Sequence, residues 1–147
     1  MTDILTVKDV SFSFGDKAVL NNVSLEVQKG EIVSILGPSG VGKSTLFNLI
    51  AGILPLQKGA IEVDDAPISF GKVSYMLQKD LLLEHKTVLG NIILPLQLKK
   101  ISKEEATSTA LKLLDEFKLG SIANLYPNAL SGGMRQRVAL LRTYLLG

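Results

Sequence analysis

The sequence has no cysteine, which excludes both a disulfide framework and a thiolate metal site and suits a reducing compartment. It also lacks a strong charge of either sign. Sixteen basic residues against fourteen acidic ones leave a net charge of +2, too small for the electrostatic footprint of a nucleic-acid binder. Long apolar runs are missing as well: Ile92-Ile93-Leu94-Pro95-Leu96 is among the longest, far short of the roughly 18 residues that a membrane-spanning helix requires. Any membrane association is therefore expected to be peripheral. The start, Met1-Thr2-Asp3-Ile4-Leu5, has no basic segment ahead of an apolar one, so no secretory signal is expected. No internal repeat, low-complexity tract or flexible linker is evident, and His85 is the single histidine.

What is present is an ordinary globular composition, with 46% hydrophobic and 20% charged residues in 147 positions. A chain of this size buries roughly 68–70% of its unfolded surface, enough for a real core. Apolar residues alternate from Leu5 to Phe14 and from Val23 to Val27, which reads as half-buried strands closed by Lys29-Gly30. Ile32 to Leu36 is nearly continuous in apolar residues, the pattern of a strand covered on both faces inside a parallel sheet. Lys43 to Ala51 carries an apolar helical face (Leu46, Leu49, Ile50) and stops at Gly52. A further strand is expected at Lys72 to Leu77, after a turn-rich stretch around Asp64-Asp65-Ala66-Pro67. From about Leu81 to Leu130 the pattern is helical, with a capping box at Ser102 and Glu105, and another helix is expected from a serine cap at Ser131.

Between the apolar run and the helix lies Gly37-Pro38-Ser39-Gly40-Val41-Gly42-Lys43-Ser44-Thr45, which satisfies the P-loop pattern G-x-x-x-x-G-K-[S/T]. Glycines let the backbone curl so that successive N–H groups point inward, and the helix behind adds about half a positive charge at its start. A polyphosphate fits such a donor-lined concavity. Lys43 is expected to reach the β- and γ-phosphates, Ser44 to ligate Mg²⁺, and Thr45 to donate to a phosphate nearer the sugar.

Leu130-Ser131-Gly132-Gly133-Met134-Arg135-Gln136-Arg137 offers a second anion site, with a serine hydroxyl, two glycine N–H groups and a helix start behind them. This segment resembles the signature motif of ABC ATPases in its LSGGM form. The resemblance implies an α/β fold: a P-loop NTPase (RecA-like) core with an N-terminal antiparallel β section and a helical subdomain, incomplete at the C-terminus. The expected divisions are 1–80 for the core, 81–130 for the helical subdomain and 131–147 for the signature and its helix.

The resemblance further implies ATP and Mg²⁺ as ligands, bound by Phe14, Val19 and the loop residues Ser39, Gly40, Val41, Gly42, Lys43, Ser44 and Thr45. Phe14 would stack on adenine and Val19 lie beside the ribose, although Phe12 and Phe14 share a strand face and either could be core. Gln78, at the end of the strand expected at Lys72 to Leu77, resembles the glutamine that contacts Mg²⁺ and the attacking water, which gives Lys43 and Gln78 the catalytic roles and Ser44 and Gln78 the metal. Ser131, Gly132, Gly133, Met134 and Gln136 would close on the ATP of a second subunit in a head-to-tail homodimer. Other implied partners are a transmembrane permease subunit and an extracytoplasmic solute-binding protein, with the chain peripheral at the cytoplasmic face of the membrane.

Asp115 and Glu116 are rejected as the acidic pair of the active site, since they lie within a capped amphipathic helix and precede the signature. His85 is either a solvated loop residue or part of a surface from Leu81 to Val88 that meets the membrane subunit. The catalytic glutamate, the acidic magnesium ligand and the sensor histidine of the family all follow the signature at positions this chain does not contain. The chain alone is therefore expected to bind nucleotide without useful turnover, and the lost sheet strand is expected to leave an edge prone to self-association. The interval from Lys43 to Leu130 leaves no room for a long coiled coil. Tyr75-Met76-Leu77-Gln78-Lys79-Asp80 and Tyr126-Pro127-Asn128-Ala129 resemble importers of the nitrate, sulfonate, taurine and pyrimidine-precursor group. A soluble ABC ATPase acting on ribosomes or DNA, and a non-hydrolytic nucleotide-binding fragment, are the alternatives.

Overall fold

The structure is a computed structural model that describes residues 3–146. Met1, Thr2 and Gly147, which the readings of the two ends include, lie outside the described residues. The chain divides into two compact units, with the division between Val73 and Ser74.

In the first unit, β1 (Asp3–Phe14) and β2 (Lys17–Gln28) form a hairpin that β3 (Lys58–Val63) and β4 (Ala66–Pro67) extend into a sheet of order β2-β1-β3-β4. Every pairing is antiparallel. The simple alternation of β1 is broken between Val7 and Val10, where Val7 opposes Leu25 and Val10 opposes Val23. The extra residue switches the inward positions from odd to even numbers, so Val7, Val10 and Phe12 are all buried. Asp9 sits in the bulge at φ 50°, and its carboxylate accepts from the Asn22 amide and the Ser24 hydroxyl, both at 3.3 Å. A second irregularity leaves Val19 without a partner on β1, since Phe12 opposes Leu20 and Ser13 opposes Ala18.

Helix α1 (Lys43–Ile50) buries Leu46, Leu49 and Ile50 with Val7, Val10, Phe12, Leu20 and Ile61 in the core of this unit. It ends as the sequence predicts: Gly52 has φ +68°, its N–H donates to Leu49 O at 3.0 Å, and Ile53 N–H donates to Asn48 O at 2.9 Å. This double closure satisfies two carbonyls that the last turn would otherwise leave open.

The expected strands at Ile32–Leu36 and Lys72–Leu77 do not form. Neither run joins a ladder among the described residues, and Ile32 and Leu36 are 94% and 92% exposed. Apolar composition identifies a segment suited to a covered strand, but the strand exists only where neighbouring backbones supply hydrogen bonds on its flanks. The sheet that does form includes β3, for which the sequence pattern sets no expectation, and β4, which lies in the turn-rich stretch at 64–67.

The second unit contains α2 (Val88–Ile92), α3 (Leu94–Leu98), α4 (Lys103–Glu116) and α5 (Gly132–Tyr144), with 3₁₀ turns at Gly120–Ile122 and Pro127–Ala129. The Ser102 hydroxyl caps α4 by accepting from Glu105 N–H at 3.2 Å. Ala106, Ala110, Leu113 and Leu114 of α4 pack with Val88, Ile92, Val138 and Leu141, while Asp115 and Glu116 face outward.

The end of α1 carries a test of the first unit. A Cβ on Gly52 would lie 2.8 Å from the Phe70 backbone nitrogen and would adopt a left-handed conformation. Gly52→Ala is expected to destabilise the chain by about 1–3 kcal/mol in urea unfolding, and an unchanged midpoint would contradict this packing.

Candidate functional site

The glycine loop is built against the sheet. Gly42, the N-cap of α1, has φ 108° and contributes no capping side chain, so the first N–H groups of the helix have no side-chain oxygen on them. A Cβ at Gly42 would lie 2.9 Å from Leu20 Cδ2 and 3.1 Å from both Val19 Cγ1 and Val19 O, so only glycine brings the helix start this close to the irregular part of β2. Intrahelical bonding begins with Leu46 N–H to Gly42 O at 2.9 Å. Upstream, Val41 N–H donates to Pro38 O at 3.4 Å, closing a turn that includes Gly40 at φ +82°. The Lys43 ammonium folds over the loop and donates to Gly37 O at 2.6 Å and Pro38 O at 2.7 Å. Ser39, Gly40, Val41 and Ser44 are exposed, and Thr45 is half-buried.

The loop gathers donors, namely a helix start, glycine turns with positive φ and a cation, and among the described residues no carboxylate is bonded to that cation. Such a set suits an anion with several oxygens. Among the described residues Lys43 is held only by carbonyls, which a phosphate would outcompete as a charged acceptor.

Phe12 and Phe14, alternatives in the sequence, are resolved by burial. Phe12 is core at 4% exposure, whereas Phe14 is 54% exposed at the tip of β1 and stands edge-on to Phe12, ring centroids 5.0 Å apart. Phe14 is therefore the accessible ring of the two, and Val19, touching the Gly42 position, joins that strand end to the glycine loop.

The other candidate residues belong to the second unit. Ser131 caps α5, its hydroxyl accepting from Met134 N–H at 3.3 Å. Gly132 and Gly133 open the helix in exposed positions with free space where a Cβ would stand. Met134 instead packs partly against the helical core. Gln136 is exposed, and its amide donates to Gln78 O at 3.2 Å, so the structure links the two glutamines within one chain. Gln78 is exposed. His85 is exposed too.

Sequence reasoning missed the residues that hold the segment after Gln78. Asp80 accepts from Arg135 in a two-pronged pair, Nε to Oδ2 and NH2 to Oδ1, both 3.0 Å, and Arg135 also reaches Glu84 at 2.6 Å. Arg142 donates to the carbonyls of Asp80 at 2.6 Å and Leu81 at 2.8 Å. Asn91 is fully buried: its Oδ1 accepts from Leu83 N–H at 2.7 Å, and its Nδ2 donates to the carbonyls of Leu83, Lys86 and Thr87 at 3.0–3.2 Å. The spacing of Arg135 and Arg142, two helical turns apart, is the one signal that foreshadows a shared face. Their partners lie more than 50 positions upstream, beyond the reach of local pattern.

A glycine loop that closes on a helix start at the end of an antiparallel hairpin, followed by a helical unit, defines a P-loop ATPase fold with a mixed α/β architecture. The chain belongs to the ABC transporter family, whose model matches residues 20–147. It is 43% identical over 97% of its length to the formylaminopyrimidine import ATP-binding protein ThiZ of Halalkalibacterium halodurans, covering 56% of that protein. It is 39% identical over 95% of its length to the taurine import ATP-binding protein TauB of Yersinia pestis bv. Antiqua, covering 55% of it. Thus it spans a little over half the length of these curated relatives. Among solved structures, an ATP-binding subunit of an ABC transporter superposes with a TM-score of 0.83 at 29% identity, covering 97% of this chain and 62% of that one. An ATP-binding cassette in a dimeric post-hydrolysis state with ADP and Pi gives 0.78 at 34% identity, covering 95% and 68%.

The Asp80 carboxylate generates a pH prediction. Its hydrogen bonds from Arg135, aided by the Leu82 N–H at 3.0 Å and by the guanidinium charge, hold its pKa below the ordinary carboxylate value. A lowered folded-state pKa stabilises the fold above the unfolded value of about 3.9, and that contribution is lost as pH falls through the lowered one. Below pH about 4 the wild-type chain is expected to lose stability more steeply than Asp80→Asn, measured by urea unfolding at a series of pH values. Parallel curves would show that the pair does not contribute.

Proposed function

We propose that this chain acts as the ATP-binding subunit of an ABC importer, with the glycine loop as its nucleotide site. The single observation that carries this reading is the approach of Gly42 to Val19 and Leu20, which leaves the first N–H groups of α1 and the Lys43 ammonium converging on one donor-lined loop. Lys43 would exchange its loop carbonyls for the β- and γ-phosphates, Ser39 to Gly42 would supply main-chain donors, and Thr45 would donate nearer the sugar. Phe14, which is exposed, and Val19 would take the base and ribose.

Magnesium would enter with the nucleotide, whose phosphate oxygens would supply most of its ligands. Among the described residues no group of three His, Cys, Asp or Glu side chains could hold a metal ion. Ser44 and Gln78 would complete its coordination, and the ion would neutralise phosphate charge and orient the terminal phosphate. Gln78 would also orient the attacking water.

Ser131, Gly132, Gly133, Met134 and Gln136 would face the nucleotide of a second copy in a head-to-tail dimer, and the exposed glycine pair at a helix start supports that role. A permease subunit and an extracytoplasmic solute-binding protein complete the importer, with the chain peripheral at the cytoplasmic face of the membrane. No helix among the described residues is long and apolar enough to cross it. The relatives ThiZ and TauB support a small solute of the sulfonate or pyrimidine-precursor kind as cargo.

Calorimetric titration with Mg-ATP tests the reading. Saturable binding is expected, and Lys43→Ala should weaken it about 10–100-fold, the value of a lost charged hydrogen bond of roughly 1.5–3 kcal/mol. Absence of binding by a folded wild-type chain, or equal affinity in the variant, would refute it.

A further inference from the structure

From Gln78 to Leu81, and again at Glu84, the chain is held by side chains of one helix, α5, whose first turn is the signature, while Asn91 of α2 fixes Leu83 and the residues after it. Arg135 is the centre of this hold. Its fork takes both oxygens of Asp80 and one of Glu84, carboxylates four positions apart that flank the buried Leu82. Gln136 adds a bond to the Gln78 carbonyl, and Arg142 bonds the carbonyl of Asp80 itself. Side-chain exposures of 23% for Arg135 and 19% for Asp80 remove this pair from the weak, fully solvated class of ion pairs. Two parallel N–H···O bonds also fix orientation as well as distance, which a lysine ammonium cannot do.

We propose that Arg135 is a positioning residue for Gln78: by clamping Asp80 and Glu84 to α5, it makes Gln78 and the signature serine Ser131 parts of one rigid block. The consequence rests on the nucleotide-binding reading above, in which Gln78 and Ser131 serve two different nucleotides. Tied to one helix, neither can shift without the other. Arg135 itself touches no nucleotide in this account and acts only through the segment it holds.

The test compares the 147-residue chain with Arg135→Lys, Asp80→Asn, the double variant and Gln78→Ala. Two quantities are read: amide hydrogen exchange across 79–84 relative to the α4 core, and the ratio of ATP affinities with and without Mg²⁺. Each single clamp variant is expected to raise exchange across 79–84 about tenfold while leaving 106–114 unchanged, and the double variant should add little to either. The magnesium-dependent gain in affinity should fall in the clamp variants as it does in Gln78→Ala, with metal-free ATP affinity unaltered. Unchanged exchange, additive singles, or a loosened segment that keeps the full magnesium gain would overturn the proposal. If the wild-type chain binds no ATP, the nucleotide reading fails separately and the exchange data alone decide whether the clamp exists. Should Arg135→Lys fail to fold, the nearly isosteric Asp80→Asn carries the same comparison.

Discussion

The close approach of Gly42 to the β2 backbone is the constraint on which the candidate site depends. A Cβ added at Gly42 would come within 2.9–3.1 Å of Leu20 and Val19, so no volume is left for a side chain and the N-cap must be glycine, and a glycine cap supplies no side-chain acceptor to the first helical N–H groups. Steric necessity and donor availability thus have one cause. The irregularity that leaves Val19 unpaired brings its carbonyl and methyl group to Gly42, and the same hairpin carries the exposed ring of Phe14 at its tip. Through these contacts an antiparallel sheet with no chemistry of its own positions a loop suited to phosphate.

The second unit achieves positioning differently, through polar contacts at its surface and one buried amide. Asn91 satisfies four backbone groups around Leu83 to Thr87 and leaves none of its own atoms unpaired. A buried amide with every bond made can specify a single loop conformation, because any alternative would leave polar groups without partners in a low-dielectric interior. Beside it, Arg135 and Arg142 bind the adjoining segment to α5. The loop after Gln78 is therefore shaped from below by α2 and tethered along its side by the signature helix.

Much of this was legible in the sequence where the determinants are local. The glycine pattern at 37–45, the caps at Ser102 and Ser131 and the stop at Gly52 each depend on a few consecutive residues, and the structure has each helix boundary there. The family, too, was legible from the LSGGM segment, and the match over residues 20–147 agrees. What was not legible depends on distant partners. The bulge at Asp9 changes the inward parity of β1 through contacts with Asn22 and Ser24, and β3 is a strand because β1 pairs with it. Ile32–Leu36 has strand composition and no ladder, and the Arg135–Asp80 pair joins residues 55 positions apart. Periodicity reports which face a residue prefers; it does not report whether a neighbour is there to receive it.

The central claim is that main-chain N–H groups at the start of α1 grip terminal phosphates. Its most direct measurement is the movement of the backbone amide resonances of Gly40 to Thr45 during titration with Mg-ADP, Mg-ATP and inorganic pyrophosphate. The account predicts large downfield shifts confined to this loop with all three ligands. Unmoved loop amides in a folded chain, or shifts centred elsewhere, would contradict it.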